Sequence, residues 1–149
     1  MKNIYFAFFQ KDKSRIESII SVLEKDKEVK DKNLTFTLIS QDNNDFIILA
    51  DNLKAKIEKD NFQSCGIIFD EYGIAASMYL NKFHKFVVAS LTDEHSSYMT
   101  RFHNNSNVIA LGFENLALER MRLIIKEYLI ASFEAGRHLV RIDMLNKMC

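Results

Sequence analysis

What most constrains this chain is a repeated alternation of two patterns. Short, largely apolar runs at 3–9, 34–40, 64–69, 86–91 and 107–111 are separated by segments whose apolar residues recur every three or four positions. The first run, Ile4-Tyr5-Phe6-Ala7-Phe8-Phe9, has no polar face to turn to water, which suits a strand covered on both sides. Strand and helix in strict alternation imply right-handed crossovers between parallel strands, with helices on both faces of the sheet. The expected fold class is α/β: a three-layer α/β/α sandwich around a Rossmann-like, mostly parallel five-stranded sheet.

The segments between the runs predict the rest. Ser14 stands three residues before Glu17, a capping-box pattern, and Ile16, Ile19, Ile20 and Leu23 continue it as a helix ending near Lys25. Residues 24–32 alternate in charge and read as a solvated loop. Helices are expected over 46–59, with Leu49, Leu53 and Ile57 on one stripe, over 74–80 as a buried helix, over 93–104 and over 115–132. Residues 135–149 have no strand to follow, so they form either a closing helix or an arm laid on another subunit. The organisation expected is a single domain, 1–149, with a sandwich core at 1–134 and a C-terminal helical arm at 135–149.

Composition narrows the function classes. Twenty basic residues balance twenty acidic ones, which argues against nucleic acid or an anionic membrane as a partner. No apolar run nears the roughly 18–20 residues of a membrane span, and Met1-Lys2-Asn3 leads into a strand and not a signal sequence, so a soluble, cytoplasmic protein is expected. Cys65 and Cys149 form neither a disulfide framework nor a metal-ligand spacing, so zinc is not called for. Proline is absent and there are only four glycines, so each glycine is expected at a tight turn or a close backbone approach.

Three constellations carry polar chemistry. In open sheets, ligands sit beyond the carboxyl ends of the strands, here after Phe9, Phe69, Leu91 and Leu111. Asp70 ends the third strand and Gly73 opens the next helix. The carboxylate is either a base or a cap, and the helix start could receive an anion. His95 and His103 lie eight residues apart, about 80° around a helix axis and two turns along it, and cannot share a metal. His103-Asn104 suits proton movement near neutral pH or, equally, satisfies the last helical carbonyls. Arg137 and Arg141 share one helical face and could grip a phosphate, unless carboxylates such as Glu134 and Asp143 pair with them.

Two stretches, DEHSSYMTRFHNNSNVIALG at 93–112 and GRHLVRIDMLNKMC at 136–149, resemble the family of B-type ribose-5-phosphate isomerase and galactose-6-phosphate isomerase, on its A-subunit side. GIIFDEYGIAASMYLNK at 66–82 resembles it more loosely, and the first 60 residues match only in rhythm. The resemblance implies a cofactor-free aldose–ketose isomerisation of galactose 6-phosphate and tagatose 6-phosphate through an enediolate. It implies His103 as the group assisting ring opening, Asn104 beside it, Arg137 and Arg141 on the phosphate, and Gly73 and Ser77 in an anion-cradling loop and its helix. It also implies an oligomer, a dimer or larger, with a pocket shared between subunits. The family's base is a cysteine after the third strand, where this chain has Asp70. The loop after the first strand, Phe8-Phe9-Gln10-Lys11-Asp12, lacks the acidic or histidine group of relatives, and Ala135 replaces a glycine. The expectation is a subunit that lends His103, Asn104 and the arginines to a cysteine-bearing B subunit. The rival is a non-catalytic homologue that binds sugar phosphate or acts as a scaffold. A homomeric isomerase using Asp70 as base ranks third.

Overall fold

The computed structural model describes residues 3–148; Met1, Lys2 and Cys149, and the readings that fall on them, lie outside the described residues. Five strands, β1 Asn3–Phe9, β2 Thr35–Gln41, β3 Cys65–Asp70, β4 Val88–Ser90 and β5 Val108–Gly112, pair in the order β2-β1-β3-β5-β4 with every pairing parallel. Seven helices connect and follow them: α1 Lys13–Leu23, α2 Lys27–Lys30, α3 Phe46–Lys59, α4 Ala75–Leu80, α5 Glu94–Asn104, α6 Leu118–Ile130 and α7 Gly136–Asn146.

Two apolar layers sandwich the sheet. On one face Phe6, Phe8, Ile67, Phe69, Ile109 and Leu111 meet α1, α2 and α6. On the other, Ala7, Ile68, Val108 and Ala110 meet Leu49, Leu53 and Ile57 of α3 and Ala76 and Leu80 of α4. Central β3 and β5 are buried at every residue, whereas the edge strand β2 is not. α5 packs on α6, where Ser97 donates to the Ile124 carbonyl at 2.6 Å, and α7 packs on α5. The three-layer, five-stranded α/β sandwich expected from the alternation is the observed fold.

Local details differ from the sequence reading. No capping box forms at Ser14: the chain winds into a 3-10 turn at Gln10–Asp12, so α1 begins at Lys13 with Asp12 at its N-cap. Within 24–32, Asp26 accepts from the N–H groups of Glu28 and Val29, starting α2, and Val29 is buried beneath it. Lys126 of α6 reaches Asp26 at 2.9 Å, so the mixed charges fasten this turn to the core. The fourth strand is only Val88–Ser90, and in α4 Met78 is 65% exposed, so that helix is not buried all round.

The strand order reverses between β1 and β3, which places a crevice at their carboxyl ends. Glycine is required where β3 leaves the sheet beside β5. Gly73 has φ +72°, and a Cβ on Gly112 would lie 2.4 Å from the Tyr72 Cα.

Candidate functional site

The polar groups singled out in the sequence separate to the two ends of the sheet. Asp70 pairs in register with Gly112 at the carboxyl ends of β3 and β5. α5 runs back against the strands, so His103 and Asn104 emerge at the amino ends, just before β5 begins. Five residues of β5 separate the two rims, roughly 15–20 Å of strand. One chain therefore does not bring Asp70, Gly73 and Ser77 together with His103, Asn104, Arg137 and Arg141. The direction of α5 thus divides the three constellations between two rims.

The carboxyl rim surrounds an open cavity of about 1020 Å³, lined by Phe9, Asp12, Arg15, Asp70, Glu71 and Phe113 among others. Several of its polar groups are already engaged. Asp70, 5% exposed, accepts from the Tyr72 N–H at 3.0 Å, from the Gly73 N–H, and from the Ala76 N–H at 3.0 Å. The Gly73 and Ala76 N–H groups, expected to face a ligand, are turned to this carboxylate, so Asp70 is a cap here and its oxygens are engaged. The Ser77 hydroxyl donates to the Ile74 carbonyl at 2.8 Å. Arg15 pairs with Asp12 at 3.3 Å and lies over the Phe113 ring. Cys65, at the start of β3, is buried, and burial pushes its thiol above the ordinary range, so it is no nucleophile.

The amino rim is built differently. Asn105 takes the left-handed conformation (φ 51°), and its N–H and that of Ser106 close the last carbonyls of α5. His103 is thus not needed as a helix cap. Its ring lies against Phe102 and stacks on His138 with centroids 4.2 Å apart and planes 16° from parallel. The Glu134 N–H donates to the Phe102 carbonyl at 3.0 Å, pinning the segment before α7 to the end of α5. α7 then buries His138 and Ile142, one turn apart, and leaves Arg137, Arg141 and Leu139 outward. Arg137 Nε donates to His138 Nε2 over 3.4 Å. Among the described residues no carboxylate pairs with Arg137 or Arg141, including Glu134 and Asp143. Asn104, next to His103 at the end of α5, is exposed.

His103, Glu134 and His138 bring ligand-type atoms within 4.8 Å of one another. A metal must lie in the plane of each imidazole it binds, and two nearly parallel stacked rings share no such point as they stand. The arrangement is instead chemically suited to carrying a proton and receiving an anion, with one exposed amide, two guanidiniums without carboxylate partners and an imidazole held by its neighbours. His138, which the sequence reading left without a role, is the surprise. Its signal was its adjacency to Arg137 and its i, i+4 relation to Ile142 on the inward face.

The ribose/galactose isomerase family pattern matches residues 10–145. The chain belongs to this family. Over 111 residues it is 39% identical to the galactose-6-phosphate isomerase subunit LacA of Lactococcus lactis subsp. lactis, covering 74% of this chain and 78% of that one. To the LacA subunit of Enterococcus faecalis it is 42% identical over 104 residues, 70% of this chain and 72% of its relative. Ribose-5-phosphate isomerase B of Mycoplasma genitalium, solved with bound ribulose 5-phosphate, superposes with a TM-score of 0.82 at 25% identity, covering 98% of this chain and 95% of that one. No helix among the described residues is long and apolar enough to cross a membrane.

Proposed function

We propose that this member of the ribose/galactose isomerase family is an A-type subunit of a cytoplasmic galactose-6-phosphate isomerase, interconverting D-galactose 6-phosphate and D-tagatose 6-phosphate. Its likeness to LacA subunits supports the substrate. The observation that carries the reading is the separation of the rims. His103, Asn104 and Arg137 stand together at one end, and at the other the chain's own Asp70 is engaged by the N–H groups of its loop and helix.

In this reading the amino rim faces the carboxyl rim of a B-type partner that supplies the base. Arg137 and Arg141 hold the sugar's phosphate by charge-assisted bonds and Asn104 orients a hydroxyl, while His103 gives a proton to the ring oxygen as its bond to C1 breaks and recovers one from the anomeric O1 hydroxyl as C1=O1 forms. The partner's base takes the proton from C2 and returns it to C1, while a hydroxyl proton passes from O2 to O1, so no atom or electron is gained or lost. Gly73 and Ser77 shape the loop and helix beside Asp70. Residues 135–149 serve as the arm of a single isomerase domain, and the exposed Leu139, Val140, Met144 and Leu145 dock it on the neighbour.

The test mixes this chain with a cysteine-bearing B-type subunit and follows tagatose 6-phosphate formation. Activity that appears only with both chains is expected; activity of the B chain indifferent to this one refutes the reading. The second reading, a non-catalytic homologue, is favoured by the occupied donors around Asp70. His103→Ala separates the two, because a scaffold loses nothing.

A further inference from the structure

His138 has no part in the steps above, yet it is the most buried member of the amino-rim cluster, 7% exposed. It contacts two groups that do take part. Its face lies on the His103 ring at a centroid distance of 4.2 Å, and its Nε2 lies 3.4 Å from Arg137 Nε. A guanidinium Nε–H can only donate, so Nε2 must offer a lone pair, which makes His138 the neutral Nδ1–H tautomer. A proton on Nε2 would set two donors against each other.

Resting on the proposed function, we infer that His138 is a positioning residue: its neutral ring fixes the plane of the His103 imidazole while its Nε2 fixes the guanidinium of Arg137. Proton transfer and phosphate binding are thereby aligned through one side chain. The stack restricts His103 to turning within its own plane, which keeps its edge nitrogens on the open rim. The charged and titratable groups facing His138 are Arg137 and Arg141 on α7, Glu134 before it and His103 on α5. Burial, then His103 and Arg137, hold its protonation below the ordinary histidine range, while Glu134, 3.9 Å from Nε2, acts the other way. A neutral partner is what both contacts require.

Two variants of the full chain, assayed with the B-type partner, divide the contacts. His138→Phe keeps a ring for the stack and removes the acceptor, so KM for galactose 6-phosphate should rise about tenfold while kcat stays within about twofold. His138→Gln keeps an acceptor and removes the ring, so kcat should fall about tenfold with KM little changed. Folded variants with wild-type kcat and KM overturn the inference and leave the isomerase reading standing. A wild-type mixture with no activity refutes that reading alone. In either event, nitrogen NMR of the wild-type chain at pH 7 decides the inference independently of activity. An Nδ1–H tautomer at His138, with its Nε2 resonance moved by Arg137→Lys, supports it. An Nε2–H tautomer or an imidazolium overturns it.

Discussion

The two ends of this sheet use similar residue types to opposite effect. At the carboxyl rim a buried carboxylate draws in three N–H groups, a serine hydroxyl turns to its own helix, and an arginine pairs with the aspartate three residues before it. At the amino rim two guanidiniums have no carboxylate partner, and an imidazole lies half-exposed on a buried one. At the first end the carboxylate and the serine hold backbone; at the second the guanidiniums have no carboxylate to hold. Since open parallel sheets offer their carboxyl ends to ligands, this contrast is what the proposed pairing with another molecule's rim rests on.

Substitutions can break or sharpen this contrast. The largest effect is expected at His103: His103→Ala should lower kcat of the reconstituted isomerase by about 10²–10⁴ with the fold intact, the span typical of a lost general acid. Next, Asp70→Asn leaves one oxygen and removes the acceptor of the Ala76 N–H, which should cost about 1–2 kcal/mol in urea denaturation while activity with the partner stays within about twofold. Ala135 has φ +24°, in the region that favours glycine, so Ala135→Gly should stabilise the chain by about 1 kcal/mol, read as a higher denaturation midpoint. The smallest effect is a slope with pH. His138 is depressed in the fold, so the folded chain binds fewer protons than the unfolded one. Stability held above the unfolded histidine value of about 6.5 is lost as pH falls from there through the lowered folded value. His138→Gln should flatten that part of the stability profile.

The fold was legible because its signals are periodic and local. The interior strands read as apolar runs, and the helix at 46–59 fell on its observed bounds, Asp45 capping it through the N–H groups of Ile47 and Ile48. What escaped was decided by contacts distant in sequence or by competing caps. The turn at 24–32 looked solvated because charge alternation masks one buried valine and a lysine about a hundred residues away. Ser14 falls inside α1 and not at its start because Gln10–Asp12 began winding early. At the site, residue types were readable and their grouping was not. Nothing local in 93–104 says which end of the sheet its last turn reaches, and that follows only from α5 running against β5. His138 was hidden for the same reason, since its stack with His103 spans 35 positions of sequence.

The placement of the cluster at one end and the Asp70 cap at the other has a numerical corollary. Two chains docked end to end create two junctions. In the assembly proposed here, one junction joins this chain's imidazole to a reactive partner, and the other meets a carboxylate already bonded to its own loop. Calorimetric titration with substrate should therefore saturate at one sugar phosphate for every two polypeptides, a half-filled stoichiometry written into the chain's polarity.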